Sequence, residues 1–447
     1  MSNPSTSVIE RRRFLQGAAF AGTTAIAAPT FLAEQAAAAV PADSILVTVT
    51  LAGGNDGINF LGPFDTGRYR DVRGRLALNP ASSHFAAEGQ FFHPRLSRLA
   101  TRFRRGDVAV VQGVGDHGLD HSHFSNLARW QSANAGGAIS GTGWLGRWLD
   151  NAGLNQFGGV AIGGQGVPLH MRGDSVDVTD IPRSGGGLYG SDTSDLRDRN
   201  MYRAIRRMGR GTNLGPWVDR VGEVNAQSVD AAQAVSPAFN APLPESSRVT
   251  SDMVLAARLI NLGLGTRVLN IWHDGFDNHD NQISGSADQG DHADLLHELD
   301  VAIDSFFATL SPSVAPKVAV MLYSEFGRRV EPNGSDGTDH GTAGHVVLIG
   351  RSVKGGLYGN KPSLTNLDNR GDLQVTMDFR RVYSTVLEEW LQTDARPVLG
   401  GRYRTLGIFD DGEPAIPEND LRARAAQLRA RRVGNRNDYL RVHSPSF

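Results

Sequence analysis

Apolar residues are distributed along this chain in two alternating patterns. The first is a short, nearly continuous apolar run, typical of a strand buried on both faces, at 44–51, 108–114, 158–163, 267–272, 316–323 and 345–350. The second is apolar spacing of three to four residues, which predicts helices at 96–103, 124–132, 144–151, 253–262, 292–310 and 379–391. Because strand and helix alternate, the pattern predicts an α/β fold with a mostly parallel central sheet between layers of helices.

The segment 165–250 breaks this alternation. It is rich in Gly, Ser, Asp and Arg, and it contains little periodicity apart from two candidate helices at 201–208 and 222–234. We interpret it as an insertion or cap within a single α/β domain that spans 40–410, rather than as an independent domain.

The N-terminal segment is predicted to be a targeting sequence rather than a part of the fold. Arg11 and Arg12 begin a twin-arginine pattern, a weakly apolar stretch follows at 17–32, and 36–39 offers an A-x-A cleavage site. The pattern predicts a signal peptide over 1–39, the twin-arginine (Tat) export machinery as a partner, and a periplasmic or secreted protein. A retained membrane helix is the alternative, and the short apolar core disfavours it.

The amino-acid composition limits the covalent links, metal ligands and partners that are possible. The chain has 447 residues, a formal net charge of −2 and no cysteine, so disulfides are excluded and any metal site must use oxygen and nitrogen ligands. The overall charge predicts no nucleic-acid partner. The tail at 411–447 is locally basic, with seven arginines and one Asp from residue 421 onward, which indicates either contact with an anionic surface or a solvated basic helix.

Polar clusters follow four of the predicted strands, at the carboxyl ends where open α/β sheets bind ligands. The first contains Asp56 within a glycine-rich loop, and a simple Asp-Gly turn would also explain it. The second contains His121, Ser122 and His123 just ahead of a predicted helix. Ser122 is a candidate nucleophile, and a helix N-cap is the alternative.

The remaining two clusters lie at 273–281 and 324–345, and their acids and histidines include Asp277, His279, Glu325, Asp339, His340 and His345. Carboxylate and imidazole are the usual ligands of hydrolytic zinc, and carboxylates also suit magnesium, calcium and manganese. Four such loops at one edge of a sheet predict a divalent-metal site for metal-assisted hydrolysis.

Five motifs occur in order along the chain: Gly53-Gly54-Asn55-Asp56-Gly57, His121-Ser122-His123-Phe124, Gly275-Phe276-Asp277-Asn278-His279, Ser324-Glu325-Phe326-Gly327-Arg328 and Asp339-His340-Gly341. With this set the chain resembles a bacterial family of Tat-exported proteins of unknown function within the alkaline-phosphatase and sulfatase superfamily. The resemblance covers roughly Ile45 to Leu406, and it implies an alkaline-phosphatase-like fold.

The resemblance also implies roles for individual residues. The implied metal ligands are Asp56, Asp277, His279, Glu325, Asp339 and His340. Ser122 would be the nucleophile, and Arg328 or Arg329 would clamp an anionic transition state unless they form exposed salt bridges. Ser324-Glu325 stands where the superfamily has an acid–histidine pair, and this departure favours a single metal, or a harder one such as magnesium, calcium or manganese.

These roles predict an exported metal-dependent hydrolase of phosphate or sulfate esters, whose substrate is an anionic small molecule or polymer. The alternative is a non-catalytic exported binding or assembly protein that keeps the fold, with or without a structural ion, because a fold does not by itself determine a function.

Overall fold

The computed structural model describes residues 44–118, 120–134, 141–184, 195–209 and 215–409. The predicted signal peptide with Arg11 and Arg12, and the basic tail at 411–447, lie outside the described residues. In the described part of the chain, no helix combines the length and the apolar character that crossing a bilayer requires.

A large central sheet organises the fold. Its strands are β1 (Ile45–Leu51), β5 (Val108–Gly115), β6 (Gly159–Ile162), β7 (Thr179–Ile181), β8 (Val268–His273), β9 (Val318–Tyr323), β10 (Gly344–Ile349), β11 (Gly356–Tyr358) and β12 (Met377–Asp378). Their order across the sheet is β11-β5-β10-β9-β1-β8-β6-β7, and β12 pairs with the end of β5. A small second sheet contains β2 (Leu61–Gly62), β3 (His84–Phe85) and β4 (Phe91–Phe92).

Helices cover both faces of the central sheet. They are α1 (Gly57–Phe60), α2 (Gly67–Arg73), α3 (Ser97–Arg105), α4 (His123–Ser132), α5 (Trp144–Ala152), α6 (Leu196–Gly209), α7 (Pro216–Val235), α8 (Arg248–Asn261), α9 (Asp291–Thr309), α10 (Phe379–Thr385) and α11 (Arg396–Leu399). The prediction of an α/β fold with a mostly parallel sheet between helices is confirmed.

Burial on both faces explains why the strand segments are almost continuously apolar. In β1, Val47 and Val49 belong to the core on one side of the sheet, which includes residues of α8 and α9. Leu46 points the other way, into the core that includes residues of α5 and α10. Successive side chains of a strand alternate between faces, so a strand covered on both sides needs apolar residues at consecutive positions.

Three features differ from the sequence pattern or go beyond it. The strand β10 runs antiparallel to both β5 and β9, because the chain returns directly beside β9 without the crossover that a parallel partner requires. The predicted helix at 379–391 is divided into α10 and a π-helical turn over Val386–Trp390. Within 165–250, β7 adds an edge strand parallel to β6.

Candidate metal centre

Four loops meet at one edge of the central sheet, after β1, β5, β8 and β9. Their strands run in the same direction, so their carboxyl ends lie together. The loops also touch through their backbones: a Cβ atom on Gly53 would collide with the backbone nitrogen of Asp277. Gly53 has a φ of +119°, a conformation that L side chains rarely adopt, so glycine is required for this close approach.

The Arg328 side chain holds three of these loops together. It is buried, and it donates hydrogen bonds to the carbonyls of Gly54 at 2.7 Å, Thr338 at 2.7 Å and Phe276 at 3.0 Å. It also donates to Asp277 Oδ1 at 2.6 Å. The pair between Arg328 and Asp277 is therefore not an exposed salt bridge, and the guanidinium is occupied by backbone carbonyls and by the carboxylate.

Three side chains bring ligand atoms to one point: His123 at the start of α4, Asp277 after β8, and His340 ahead of β10. Their ligand atoms all lie within 4.8 Å of one another. The His123 and His340 Nε2 atoms are 3.0 Å apart. Asp277 Oδ1 lies 3.1 Å from His340 Nε2, and Asp277 Oδ2 lies 3.4 Å from His123 Nε2.

The hydrogen bond at the outer nitrogen of each imidazole, His123 and His340, determines which nitrogen can bind a metal. His123 Nδ1 lies 2.8 Å from Glu325 Oε1, and His340 Nδ1 lies 2.8 Å from the backbone carbonyl of His121. A carboxylate and a carbonyl only accept, so both Nδ1 atoms carry the hydrogen and both neutral rings present Nε2 as a lone pair. Two lone pairs facing each other at 3.0 Å repel unless a cation or a shared proton lies between them. The donor set and its outer hydrogen bonds therefore fit a divalent cation.

His279 extends this group toward solvent. Its Nε2 lies 3.0 Å from His340 Nε2 and 3.1 Å from Asp277 Oδ1. Its Nδ1 lies 3.2 Å from Asp339 Oδ1, so Asp339 orients His279 in the way that Glu325 orients His123. Asp339 is half exposed whereas Glu325 is almost fully buried. Solvent therefore screens the contact of Asp339 with His279 more than the contact of Glu325 with His123.

The charges around Asp277 keep its carboxyl ionised. Burial alone would raise its pKa, but the hydrogen bond and positive charge of Arg328, with smaller contributions from the contacts with His340 and His123, outweigh burial and lower the pKa to about 2. Burial lowers the pKa of His340, whereas the hydrogen bond to Glu325 raises the pKa of His123. At neutral pH the group therefore presents an anionic carboxylate beside a neutral His340.

Three of the residues that sequence reasoning singled out lie behind or beside this group. Asp56 is buried in an ion pair with Arg73 and accepts a hydrogen bond from Gln282 Nε2 at 2.6 Å. Burial would raise the pKa of Asp56, but Arg73 lowers it. Glu325 also accepts from the Gly53 backbone at 2.9 Å.

His345 is half-buried on β10, where its Nε2 lies 3.1 Å from the Leu61 carbonyl and desolvation lowers its pKa. Neither Asp56, Glu325 nor His345 belongs to the three-residue group around His340.

Ser122 is at the N-cap position of α4, but its side chain makes no capping hydrogen bond. Its backbone nitrogen donates to Asp120 Oδ1 at 3.0 Å. The residues on either side of it, His121 and His123, both contact His340. The half-buried Ser122 thus lies between His121, whose backbone carbonyl contacts the candidate ligand His340, and His123, which is itself a candidate ligand.

The structure also brings in residues that the sequence pattern did not single out. Asp372 is buried, and its carboxylate oxygens lie 3.3 Å from His121 Nε2 and 3.3 Å from Arg329 Nε. Arg370 Nη1 lies 3.5 Å from His121 Nδ1. The segment that contains Asp372 follows no predicted strand, and the only available signal was its local density of charged residues at 368–372.

Comparison with known proteins gives one extended match. Residues 109–400 match the family model described as Protein of unknown function (DUF1501). No curated protein matches the sequence.

Among solved structures, the chain is similar to a protein described in work on glycosaminoglycan metabolism by Bacteroides thetaiotaomicron, with 10% identity, a TM-score of 0.34, and 83% of this chain and 78% of that chain covered. It is also similar to a 2-O GAG sulfatase, with 12% identity, a TM-score of 0.27, and 81% and 76% covered. At these scores neither protein's activity transfers to this chain.

Proposed function

The chain belongs to the DUF1501 family of proteins of unknown function, and from that premise we propose that it is a metal-dependent hydrolase of phosphate or sulfate esters. The observation that carries the proposal is the convergence of His123 Nε2, His340 Nε2 and the Asp277 carboxylate, with both Nδ1 hydrogens held by acceptors on the outside. Catalytic metal sites use ligands of this kind, fixed from outside by carboxylates and backbone carbonyls.

The types of ligand atom also indicate which metal ion would bind. Imidazole nitrogens suit zinc and other transition metals, whereas magnesium and calcium prefer oxygen alone. Two histidines in the group, with a third in His279, therefore favour zinc or manganese over magnesium and calcium. When bound, such a cation would supply Lewis-acid stabilisation of the negative charge on the ester oxygens.

The protein's own residues would supply the nucleophile and part of the positive charge at the anionic group. The Ser122 hydroxyl is the candidate nucleophile, because it makes no capping bond and adjoins His123. Its oxygen would attack the phosphorus or sulfur atom as the alcohol leaves, and water would then release the phosphate or sulfate and restore the serine. The N-terminus of α4 adds a partial positive charge where the anionic group would lie.

A second candidate function is a non-catalytic binding or assembly protein. It is favoured because two residues with implied catalytic or metal-binding roles are held by other partners. Arg328 donates its hydrogen bonds to backbone carbonyls and to Asp277, and Asp56 forms an ion pair with Arg73. In this alternative the cation would hold the four loops together without a reaction. Export through the Tat route remains part of both proposals, and N-terminal sequencing of the secreted protein would test it.

Elemental mass spectrometry of the purified protein tests the metal site. We expect about one equivalent of zinc or manganese per chain, lost in His123→Gln and His340→Gln. The matched control is His297→Gln, the same substitution at an exposed histidine of α9 outside the group. Wild-type protein without metal, even after incubation with zinc and manganese, would contradict the proposal, as would full metal content in both variants.

Hydrolysis of chromogenic phosphate and sulfate esters then separates the two functions. A hydrolase loses activity in Ser122→Ala while its metal content stays at the wild-type level. A metal-loaded protein with no activity on either ester class, or one whose activity survives Ser122→Ala, contradicts the serine mechanism. The former result favours the binding or assembly protein.

A further inference from the structure

Two of the arginines near the candidate metal centre are committed to the protein itself. Arg328 is buried and donates to backbone carbonyls and to Asp277. Arg73 is buried in its ion pair with Asp56. Phosphate and sulfate esters keep negative charge on their non-bridging oxygens throughout the reaction, so the proposed chemistry needs a cation beside the metal that a ligand from solvent can reach.

Arg329 is directed into the segment 368–372. Its Nε lies 3.3 Å from Asp372 Oδ1, and its Nη2 donates to the backbone carbonyl of Arg370. Its backbone nitrogen donates to the Asp339 carbonyl at 3.0 Å. Arg329 therefore connects this segment to the loop after β9 and has little donor capacity left for a ligand.

The segment 368–372 forms a closed turn that presents Arg370 to solvent. Asp368 Oδ1 accepts from the backbone nitrogens of Arg370 and Asp372, both at 2.8 Å, and the Asp368 nitrogen donates to the Asp372 carbonyl at 2.8 Å. The backbone of Arg370 is thus held in place, whereas its side chain is exposed. Binding through such a residue does not require the main chain to be ordered first.

The Arg370 guanidinium lies against His121, the residue before Ser122. Its Nη1 is 3.5 Å from His121 Nδ1, and among the described residues it donates no hydrogen bond to a carboxylate. On the other side of the same ring, His121 Nε2 lies 3.3 Å from Asp372 Oδ2. A carboxylate only accepts, so the neutral ring carries its hydrogen on Nε2 and presents the Nδ1 lone pair to Arg370.

This contact is one that an anion would readily replace. A neutral acceptor at 3.5 Å is a weak partner for a guanidinium, whereas a phosphate or sulfate oxygen accepts charge-assisted bonds of about 2.7–2.9 Å. The planar guanidinium can also give two parallel hydrogen bonds to two oxygens of one tetrahedral group.

His121 links the guanidinium to the metal centre. Its backbone carbonyl accepts from His340 Nδ1 at 2.8 Å, so one residue joins Arg370 to a candidate metal ligand, and the next residue is Ser122. The group is open to solvent on one side, since the Asp277 side chain is 46% exposed. An ester that reaches Ser122 from solvent therefore comes near a long side chain whose charged head is exposed.

We propose that Arg370 binds the charged oxygens of the ester beside Ser122. The inference rests on the proposed function, because it takes the ligand to be a tetrahedral phosphate or sulfate group. It assigns anion binding to a different arginine from the two that the sequence motifs suggested, both of which join loops of the protein.

Isothermal titration calorimetry of inorganic phosphate and sulfate into the zinc-loaded full chain tests the contact without requiring turnover. We expect Arg370→Ala to weaken the affinity for the anion that the wild type binds by about 10- to 100-fold. Arg370→Lys should weaken it less, because lysine keeps the charge but loses the two-pronged geometry. Zinc content and thermal unfolding of each variant should match the wild type, since the Arg370 side chain is exposed.

The matched control is Arg351→Ala, which removes an exposed arginine that follows β10 at the opposite edge of the sheet; it should keep the wild-type affinity. An Arg370→Ala variant with wild-type anion affinity would overturn the assignment, and so would an equal loss in Arg351→Ala. A wild type that binds neither anion at up to about 10 mM would overturn it as well.

Kinetics on the ester class that the wild type hydrolyses separate this inference from the proposed function. In Arg370→Ala, kcat/KM should fall by about 10- to 100-fold, and free guanidinium ion should restore part of it, an effect that a purely structural role of Arg370 would not give. A hydrolase with unchanged kcat/KM in Arg370→Ala keeps the proposed function and refutes this inference. A zinc-loaded protein that binds phosphate through Arg370 but hydrolyses neither ester class keeps the contact and refutes the hydrolase.

Discussion

Replacing Glu325 by glutamine should weaken metal binding without touching a metal ligand. The Glu325 side chain is almost fully buried, and its Oε1 accepts from His123 Nδ1 at 2.8 Å and from the Gly53 backbone at 2.9 Å. Glutamine keeps the shape and one acceptor oxygen, but it loses the carboxylate charge that favours a hydrogen on Nδ1. The change therefore isolates the electrostatic part of the contact from its packing.

The size of the effect follows from the type of contact. A hydrogen bond to a charged group is roughly twice as strong as a neutral one, and loss of a partner that orients a metal-binding histidine costs about 10- to 100-fold in metal affinity. This range corresponds to about 1.4–2.8 kcal/mol. Asp339 orients His279 at 3.2 Å but is half exposed, so solvent screens its contact. We therefore expect Asp339→Asn to cost only about 3-fold.

The assay is competition for zinc against a chromophoric chelator at neutral pH, with thermal unfolding of each metal-free variant as the control for folding. The expected order of affinity is wild type, then Asp339→Asn, then Glu325→Gln. The reasoning is refuted if Glu325→Gln binds zinc within about 3-fold of the wild type, or if Asp339→Asn is the weaker of the two while both variants remain folded.

Two further predictions concern the scaffold. Burial lowers the pKa of His170 from 6.5 to about 3, so the unfolded chain binds more protons than the folded one below pH 6.5, and the free energy of unfolding falls as the pH drops from there toward 3. Urea unfolding of His170→Gln should therefore show about 2 kcal/mol less loss of stability between pH 7 and pH 5 than the wild type. A loss equal to that of the wild type would contradict this reasoning. Gly143→Ala places a Cβ against backbone atoms of Leu169 and His170, whereas Gly141 has open space around it. Gly143→Ala should therefore lower the thermal midpoint by several degrees and Gly141→Ala should not, and equal midpoints would show that the site can relax.

Much of the architecture follows from local pattern. The apolar runs at 44–51, 108–114 and 316–323 became β1, β5 and β9 within about two residues, because a strand buried on both faces must be apolar at successive positions. The placement of acids and histidines after those runs also indicated the edge of the sheet where they meet. Both inferences use information that lies within one short segment at a time.

The direction of β10 and the pairing of β12 with β5 depended on contacts between distant segments, which short-range pattern does not record. The same holds for the site. By sequence, Asp277 and Glu325 are alike candidate metal ligands, and Arg328 is a candidate clamp for an anionic transition state. In the fold, Asp277 joins two histidines, Glu325 lies behind one of them, and Arg328 holds the loops together.

By itself, then, the sequence determined the α/β alternation and the set of polar residues gathered at one edge of the sheet. Only the tertiary structure decided which of them present ligand atoms and which orient or neutralise a neighbour. The physical reason is that a side chain's role depends on which acceptor, charge or backbone carbonyl lies within about 3 Å of it. Many of those neighbours are distant along the chain: Asp277 lies 51 positions from Arg328, and Glu325 lies 272 positions from Gly53.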